Sequence, residues 1–206
     1  MNITDYFSGN HTLRSKFIFN LVAPVYGRVD YWLRNKYQDV MPLLAEAVDL
    51  KGKSVLDVGC GTGAWTGAFQ SYKPKSLTGI DFSSRMLIKA EDKYKDIDFQ
   101  LMNAEKMRDF KDNQFDIVTA SYVFHGMKIE ERSKILLEMK RIASSAVVIH
   151  DFYGKTELFI RILEFFERSD YKLFKKNFIN EIKKEFEYFK LIDTFHATAF
   201  YIGLLN

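Results

Sequence analysis

The sequence predicts an α/β protein: a doubly wound, mostly parallel sheet of seven strands, with a C-terminal antiparallel hairpin and an N-terminal helical extension. Three observations predict it. Five short apolar segments alternate with helical ones between residues 54 and 150. Strands alternating with helices make a parallel sheet covered on both faces. A glycine-rich turn sits between the first apolar segment and the helix after it. Two more apolar segments near the end are joined by a link too short for a parallel crossover, which needs about a dozen residues.

The extension comes first. Phe17, Phe19, Leu21 and Val22 precede Ala23-Pro24, and the proline is expected to end a first helix. A second helix is predicted over 29–48, where Trp32, Leu33, Val40, Leu43, Leu44, Ala47 and Val48 recur at near-helical spacing and Pro42 marks a kink or break. Strands are predicted at 54–58, 77–81, 97–102, 115–120 and 146–150. Ser83 or Ser84 caps a helix over 86–94. Ile135, Leu136, Met139 and Ile142 share one side of a helix over 130–142. Residues 158–188 read as helical with a break near Asn177, and 189–195 and 200–205 form the hairpin. No linker or repeat divides the chain, so 1–206 reads as one domain: a core over 51–206 and an extension or lid over 1–50.

Composition narrows the function. The 206 residues are 47% hydrophobic and 28% charged, the balance of a soluble globular protein. No apolar run reaches the roughly 18 residues of a membrane span. The first residues lack a signal-peptide pattern. The single cysteine, Cys60, can form no intrachain disulfide, and a cytoplasmic setting fits it. No His/Cys/Asp cluster has ligand spacing, so no metal is expected. A net charge of +3 does not by itself point to nucleic acid. The aromatic content of 16% fits core packing better than a greasy pocket. Oligomeric state is not readable.

The chemistry centres on Leu56-Asp57-Val58-Gly59-Cys60-Gly61-Thr62-Gly63, between a strand and a helix. Glycines suit a tight turn that a ligand approaches closely. Asp81 ends the second strand, where an acid in such a unit accepts hydrogen bonds from ribose hydroxyls. The spacing is Gly-x-Gly-x-Gly, with Ala64 where the dinucleotide fingerprint has its third glycine or alanine.

These residues resemble the class I S-adenosylmethionine-dependent methyltransferases, whose fold is Rossmann-like, and within them the small-molecule group that includes the ubiquinone/menaquinone-type enzymes. The resemblance runs from about Phe19 to Phe152. It implies S-adenosylmethionine as cofactor. It also implies that the loop of Asp57, Gly59, Cys60, Gly61 and Gly63 wraps the methionine part and that Asp81 holds the ribose. Phe82 and Met86 would lie near the adenine, and Asn103-Ala104-Glu105 would read its edge. Ser121 falls beside the cofactor after strand four. Tyr26, in Ala23-Pro24-Val25-Tyr26-Gly27-Arg28, would close over the methionine end or pack between helices. Two segments depart from the pattern. Ala143-Ser144-Ser145-Ala146 replaces Pro-Gly-Gly before strand five, and Ser121-Tyr122-Val123-Phe124-His125-Gly126 differs from the quinone-type members.

Methyl transfer needs orientation above all, with a general base where the nucleophile must lose a proton. His125 is the leading candidate base, with Tyr122 on the same loop; both fall at the carboxyl edge of the sheet, where ligands bind in open α/β folds. His150 and Asp151 close strand five on that edge. His11 and His196 have no motif context. Residues 172–190 carry six lysines and three glutamates, which reads as a solvated helix face before it reads as an RNA surface. The expected function is methyl transfer to a small-molecule acceptor, without nucleic acid. The alternatives are RNA or protein methylation on the same fold, or a cofactor-binding domain that only regulates a partner.

Overall fold

The computed structural model describes the backbone of residues 26–154, 171–194 and 197–205, and their side chains except those of 26–32 and 172. Its elements in chain order are α1 (Tyr26–Ala47), β1 (Ser54–Val58), α2 (Ala64–Ala68), β2 (Ser76–Asp81), α3 (Ser84–Lys93), β3 (Asp98–Leu101), β4 (Phe115–Ser121), α4 (Ile129–Ile142), β5 (Ala143–Phe152), α5 (Tyr171–Glu185), β6 (Tyr188–Thr194) and β7 (Thr198–Leu204). Short 3-10 turns follow α2 (Phe69–Tyr72) and β4 (Phe124–Gly126). The sheet order is β3-β2-β1-β4-β5-β7-β6. Strands β1 to β5 pair in parallel, while β7 runs antiparallel to both β5 and β6. The expected α/β sheet and hairpin are therefore present, and the hairpin attaches through its second strand.

Two apolar layers sandwich the sheet. Alternate residues of a strand face opposite sides. On β5, Val148 joins a cluster with Tyr37, Val40, Met41 and Leu44 of α1 and Trp65 of α2. Val147 and Ile149 join the opposite cluster, with Ile135 and Met139 of α4 and Phe174 and Phe178 of α5.

Three local expectations change. Helix α1 runs through Pro42 without a break. Pro42 and Gln38 are both exposed, so water can take the carbonyl that proline leaves unbonded, while Val40, Met41 and Leu44 bury the other face. Helix α5 continues through Asn177, held by the buried i, i+4 stripe of Phe174, Phe178 and Ile182. No turn separates α4 from β5: Ala143 is already extended (φ −79°, ψ 141°), and the strand starts there. A register irregularity between Phe115 and Ile117 absorbs one extra residue of β5. The first predicted helix, the break before Pro24, and His11 and His196 lie outside the described residues.

Candidate active site

The parallel strands bring their carboxyl ends to one edge. The strand order reverses between β1 and β4, so a crevice is expected outside their ends. The loop after β1 turns sharply, with Gly59, Gly61 and Gly63 at φ of 74°, 53° and 79°. Residues with side chains rarely adopt this region. The N–H groups of Gly59 and Cys60 donate to the Ile80 carbonyl at 2.8 and 3.0 Å, tying the loop to β2.

The three glycines serve different ends. A Cβ on Gly59 would lie 2.7 Å from Val123, and one on Gly63 would lie 2.9 Å from Phe99 and 3.0 Å from Tyr94. Those two positions are closed by the protein itself. A Cβ on Gly61 would meet nothing within 4 Å. Only there does the loop offer bare backbone to a ligand.

Two carboxylates flank this opening. Asp81 Oδ2 accepts from the Gly61 N–H at 3.0 Å, and its Oδ1 accepts from the Ser83 N–H at 2.7 Å. Asp57 Oδ2 accepts from the Thr66 hydroxyl at 2.5 Å. Its Oδ1 is buried with no hydrogen-bond partner among the described residues. Burial raises the Asp57 carboxyl from 3.8 to about 7, opposed by the Thr66 bond and helped by the neighbouring Asp81. Burial also raises Asp81, against the backbone donors of Ser83, Gly61 and Phe82. Burial pushes the Cys60 thiol far up, so it stays a neutral thiol.

The remaining expected cofactor residues fall along the same edge. Phe82 is half-buried after β2, and Met86 is buried in α3, whose N-terminal Ser83 hydroxyl accepts from the Met86 N–H. Asn103 is exposed after β3, and its Oδ1 accepts from the Glu105 N–H at 2.9 Å. That bond uses one lone pair of the carbonyl expected to meet the adenine and leaves the other. Ala104 and Glu105 are half-buried beside it. Tyr26 opens α1, and its side chain lies outside the described ones.

The edge past β4 and β5 is made of side chains. Ser121 donates to the Tyr37 hydroxyl at 3.0 Å and lies 3.1 Å from His150 Nδ1. His150 Nε2 lies 3.2 Å from the Thr198 hydroxyl. Trp65 stacks on His150 with centroids 5.5 Å apart and donates from Nε1 to Thr119 at 3.0 Å. Burial depresses His150 to about 4, so it is a neutral link in this chain. Tyr122 sits at φ 56° with its ring 5.1 Å from His150, and burial holds it as a protonated phenol. His125 lies on the other side of β5, 2.9 Å from Asp151.

Sequence reading singled out Ser121, Tyr122 and His125 but missed Tyr37, Trp65 and Thr198, which hold the edge together. Tyr37 and Trp65 carry only the signal of apolar spacing. Pairing of β5 with β7 is what sets Thr198 opposite Phe152 and near His150. Among the described residues no group of three His, Cys, Asp or Glu could hold a metal, and no helix is long and apolar enough to cross a membrane.

A glycine loop at a switch point, a terminal acid on β2 and a β7 strand antiparallel to its neighbours together define a Rossmann-like α/β domain. Residues 55–145 match the family described as methyltransferase domain. A demethylmenaquinone methyltransferase of Bacillus licheniformis is 31% identical over 140 residues, 62% of this chain and 59% of that protein. The chain thus spans under two thirds of that curated relative's length. A SAM-dependent methyltransferase from Aquifex aeolicus shares the fold at TM-score 0.66 and 18% identity, over 89% of this chain and 98% of that one. A magnesium protoporphyrin IX methyltransferase from Synechocystis, solved with bound SAM, does so at TM-score 0.61 and 16% identity, over 99% and 95%. Residues 55–145 are thus similar to methyltransferase domains, and the solved neighbours share the fold.

Proposed function

We propose that this chain transfers a methyl group from S-adenosylmethionine to a small-molecule acceptor, in one domain with the extension over 1–50 as its lid. The observation that carries the reading is the opening at Gly61, flanked by Asp81 and by the orphaned oxygen of Asp57. A buried carboxylate oxygen without a donor is costly, and a ligand that brings hydroxyl or cationic groups relieves it. The cofactor fits that demand. The loop of Asp57, Gly59, Cys60, Gly61 and Gly63 holds its methionine end, Asp81 its ribose, and Phe82, Met86, Asn103, Ala104 and Glu105 its adenine. Ser121 acts as a wall beside it, oriented by Tyr37 and His150. When bound, the cofactor supplies an activated methyl group.

His125 and Tyr122 face the acceptor, His125 as base and Tyr122 as a neutral phenol. Relatives named for menaquinone and porphyrin methylation support a small-molecule acceptor. A cytoplasmic setting suits the single buried thiol. The lysine-rich α5 gives RNA little to hold. Lys175 donates to the Gly154 carbonyl and lies over the Tyr171 ring, and Lys183 lies over Phe189. Calorimetry with S-adenosylhomocysteine, then transfer of labelled methyl to small-molecule, RNA and protein pools, tests the reading. Label in RNA or protein alone, or cofactor binding without turnover in any pool, overturns it.

A further inference from the structure

Arg132, near the start of α4, is 1% exposed and is the largest fully buried side chain among the described residues. Its guanidinium meets Glu181 of α5, 49 residues away, as a fork. Nε donates to Oε2 at 2.9 Å and Nη2 to Oε1 at 2.7 Å. Nη1 turns the other way and donates to the Met127 carbonyl at 2.5 Å. The cation also stands 5.7 Å from the centre of the Phe174 ring. An ion pair this deep is a poor way to gain stability. Taking two charges out of water consumes much of their attraction, and a well-packed apolar pair of similar volume often serves as well or better. An apolar pair would leave one task undone: it has no donor for the Met127 carbonyl.

Met127 ends the short turn Phe124–Gly126, in the loop that joins β4 to α4 at the carboxyl edge. That loop carries Tyr122 and His125. Tyr122 sits at φ 56°, a region costly for a residue with a side chain. Such a backbone persists only where its surroundings over-determine it. Bonds to β5 hold the first part of the loop. The Tyr122 N–H donates to the His150 carbonyl at 2.9 Å, and Asp151 accepts from the N–H groups of Phe124 and His125 at 2.9 and 3.2 Å. Contacts with α5 hold the rest. The Phe124 ring packs on Phe178 with centroids 5.3 Å apart, and Arg132 links the Met127 carbonyl to Glu181.

We propose that Arg132, oriented by Glu181, is a positioning residue for methyl transfer: it ties the far end of this loop to α5 and so sets where Tyr122 and His125 stand before the acceptor. This rests on the methyl-transfer reading above. The planar guanidinium can grip a carboxylate with one edge and a carbonyl with the other, which the point charge of a lysine cannot reproduce. Helix α5 therefore serves the site from its buried face, opposite in character to its exposed lysines. Transfer depends on alignment, and a displacement of about 1 Å can cost about 100-fold in rate.

The deciding variant is Arg132→Met combined with Glu181→Leu, which replaces the pair by apolar side chains of similar volume. It should melt near wild type and keep its affinity for S-adenosylhomocysteine. The amides of Phe124, His125 and Met127, followed by NMR, should nevertheless exchange on the order of ten- to a hundredfold faster. Transfer of labelled methyl into a pooled small-molecule extract should fall by about 100-fold in kcat, with KM for S-adenosylmethionine unchanged. A pair that served only stability would give wild-type exchange and turnover in this variant, and that result overturns the proposal. Arg132→Lys keeps the charge and loses the fork, so exchange and turnover should move in the same directions. Wild-type values of both in Arg132→Lys overturn the proposal whether or not the double variant folds. Lost S-adenosylhomocysteine affinity in a folded variant overturns it too, because the loop would then serve the cofactor. If the wild-type protein labels no extract, the methyl-transfer reading fails and the role in transfer with it, while the exchange rates still decide whether Arg132 holds the loop.

Discussion

Around β1 and β2 the carboxyl edge is built from backbone: three left-handed glycines in five residues, N–H groups turned onto the Ile80 carbonyl, and an acid on each strand. Around β4 and β5 the same edge is built from side chains that reach each other across long stretches of sequence. Ser121 meets Tyr37 from 84 residues away, and His150 meets Thr198 from 48. The first half presents one opening, at Gly61, and one buried carboxylate oxygen, Asp57 Oδ1, without a hydrogen-bond partner among the described residues. The second satisfies its polar groups internally and surrounds them with rings. The difference teaches that a loop shape carried by backbone is set locally, whereas a surface of side chains is assembled from distant elements.

If that contrast is right, the largest effect comes from closing the opening. Gly61→Val should weaken S-adenosylhomocysteine binding on the order of a thousandfold, about 4 kcal/mol, as measured by calorimetry. The branched side chain fills the free space and opposes the positive φ. Near wild-type affinity in a folded variant would show that the ligand lies elsewhere.

The next effect concerns Asp57 without ligand. Its folded carboxyl titrates near 7, against 3.8 ordinarily. Between about pH 4 and 7 the folded chain therefore keeps a proton that the unfolded chain has lost. The ligand-free protein should lose stability as pH rises through that window, by up to about 4 kcal/mol, and level off above it. Asp57→Asn should flatten the profile. Denaturant midpoints that follow the same pH curve in both proteins would show that burial does not hold the proton.

Asp81→Ala comes third. It removes a charged acceptor and should weaken S-adenosylhomocysteine binding by roughly 1.5–3 kcal/mol. Because Asp81 also holds the Gly61 and Ser83 N–H groups, Asp81→Asn should recover part of the loss. No recovery would mean that charge alone matters.

The smallest change belongs to the side-chain half. Tyr37→Phe deletes the hydroxyl that accepts from Ser121 and should cost about 1 kcal/mol, a melting shift of about 2–4 °C. Cofactor affinity should stay within twofold. A loss as large as that of Asp81→Ala would erase the division between the two halves.

Much of the glycine-loop half was legible because its causes are local. Left-handed turns require glycine, a strand-terminal acid follows at a set distance, and Ser83 caps the helix after it. Neither Pro42, expected as a kink or break, nor Asn177, expected as a break, ends its helix, for one reason: each residue weakens a helix locally, but the buried stripe on its helix outweighs that cost. His125 was picked out by its place after strand four. Asp151 was legible only as a residue on the same edge.

By itself the sequence determined the alternation of strands and helices, the glycine loop and its two acids, because periodicity and backbone preference act within a few residues. Tertiary structure alone decided which glycine faces open space, that His150 is an interior link while Asp151 grips His125, and that Tyr37 belongs to the edge of the site. These follow from how β5 lies between β4 and β7 and from the alternation that sends neighbouring residues to opposite faces of the sheet. Pairing among distant strands is not written in any one of them.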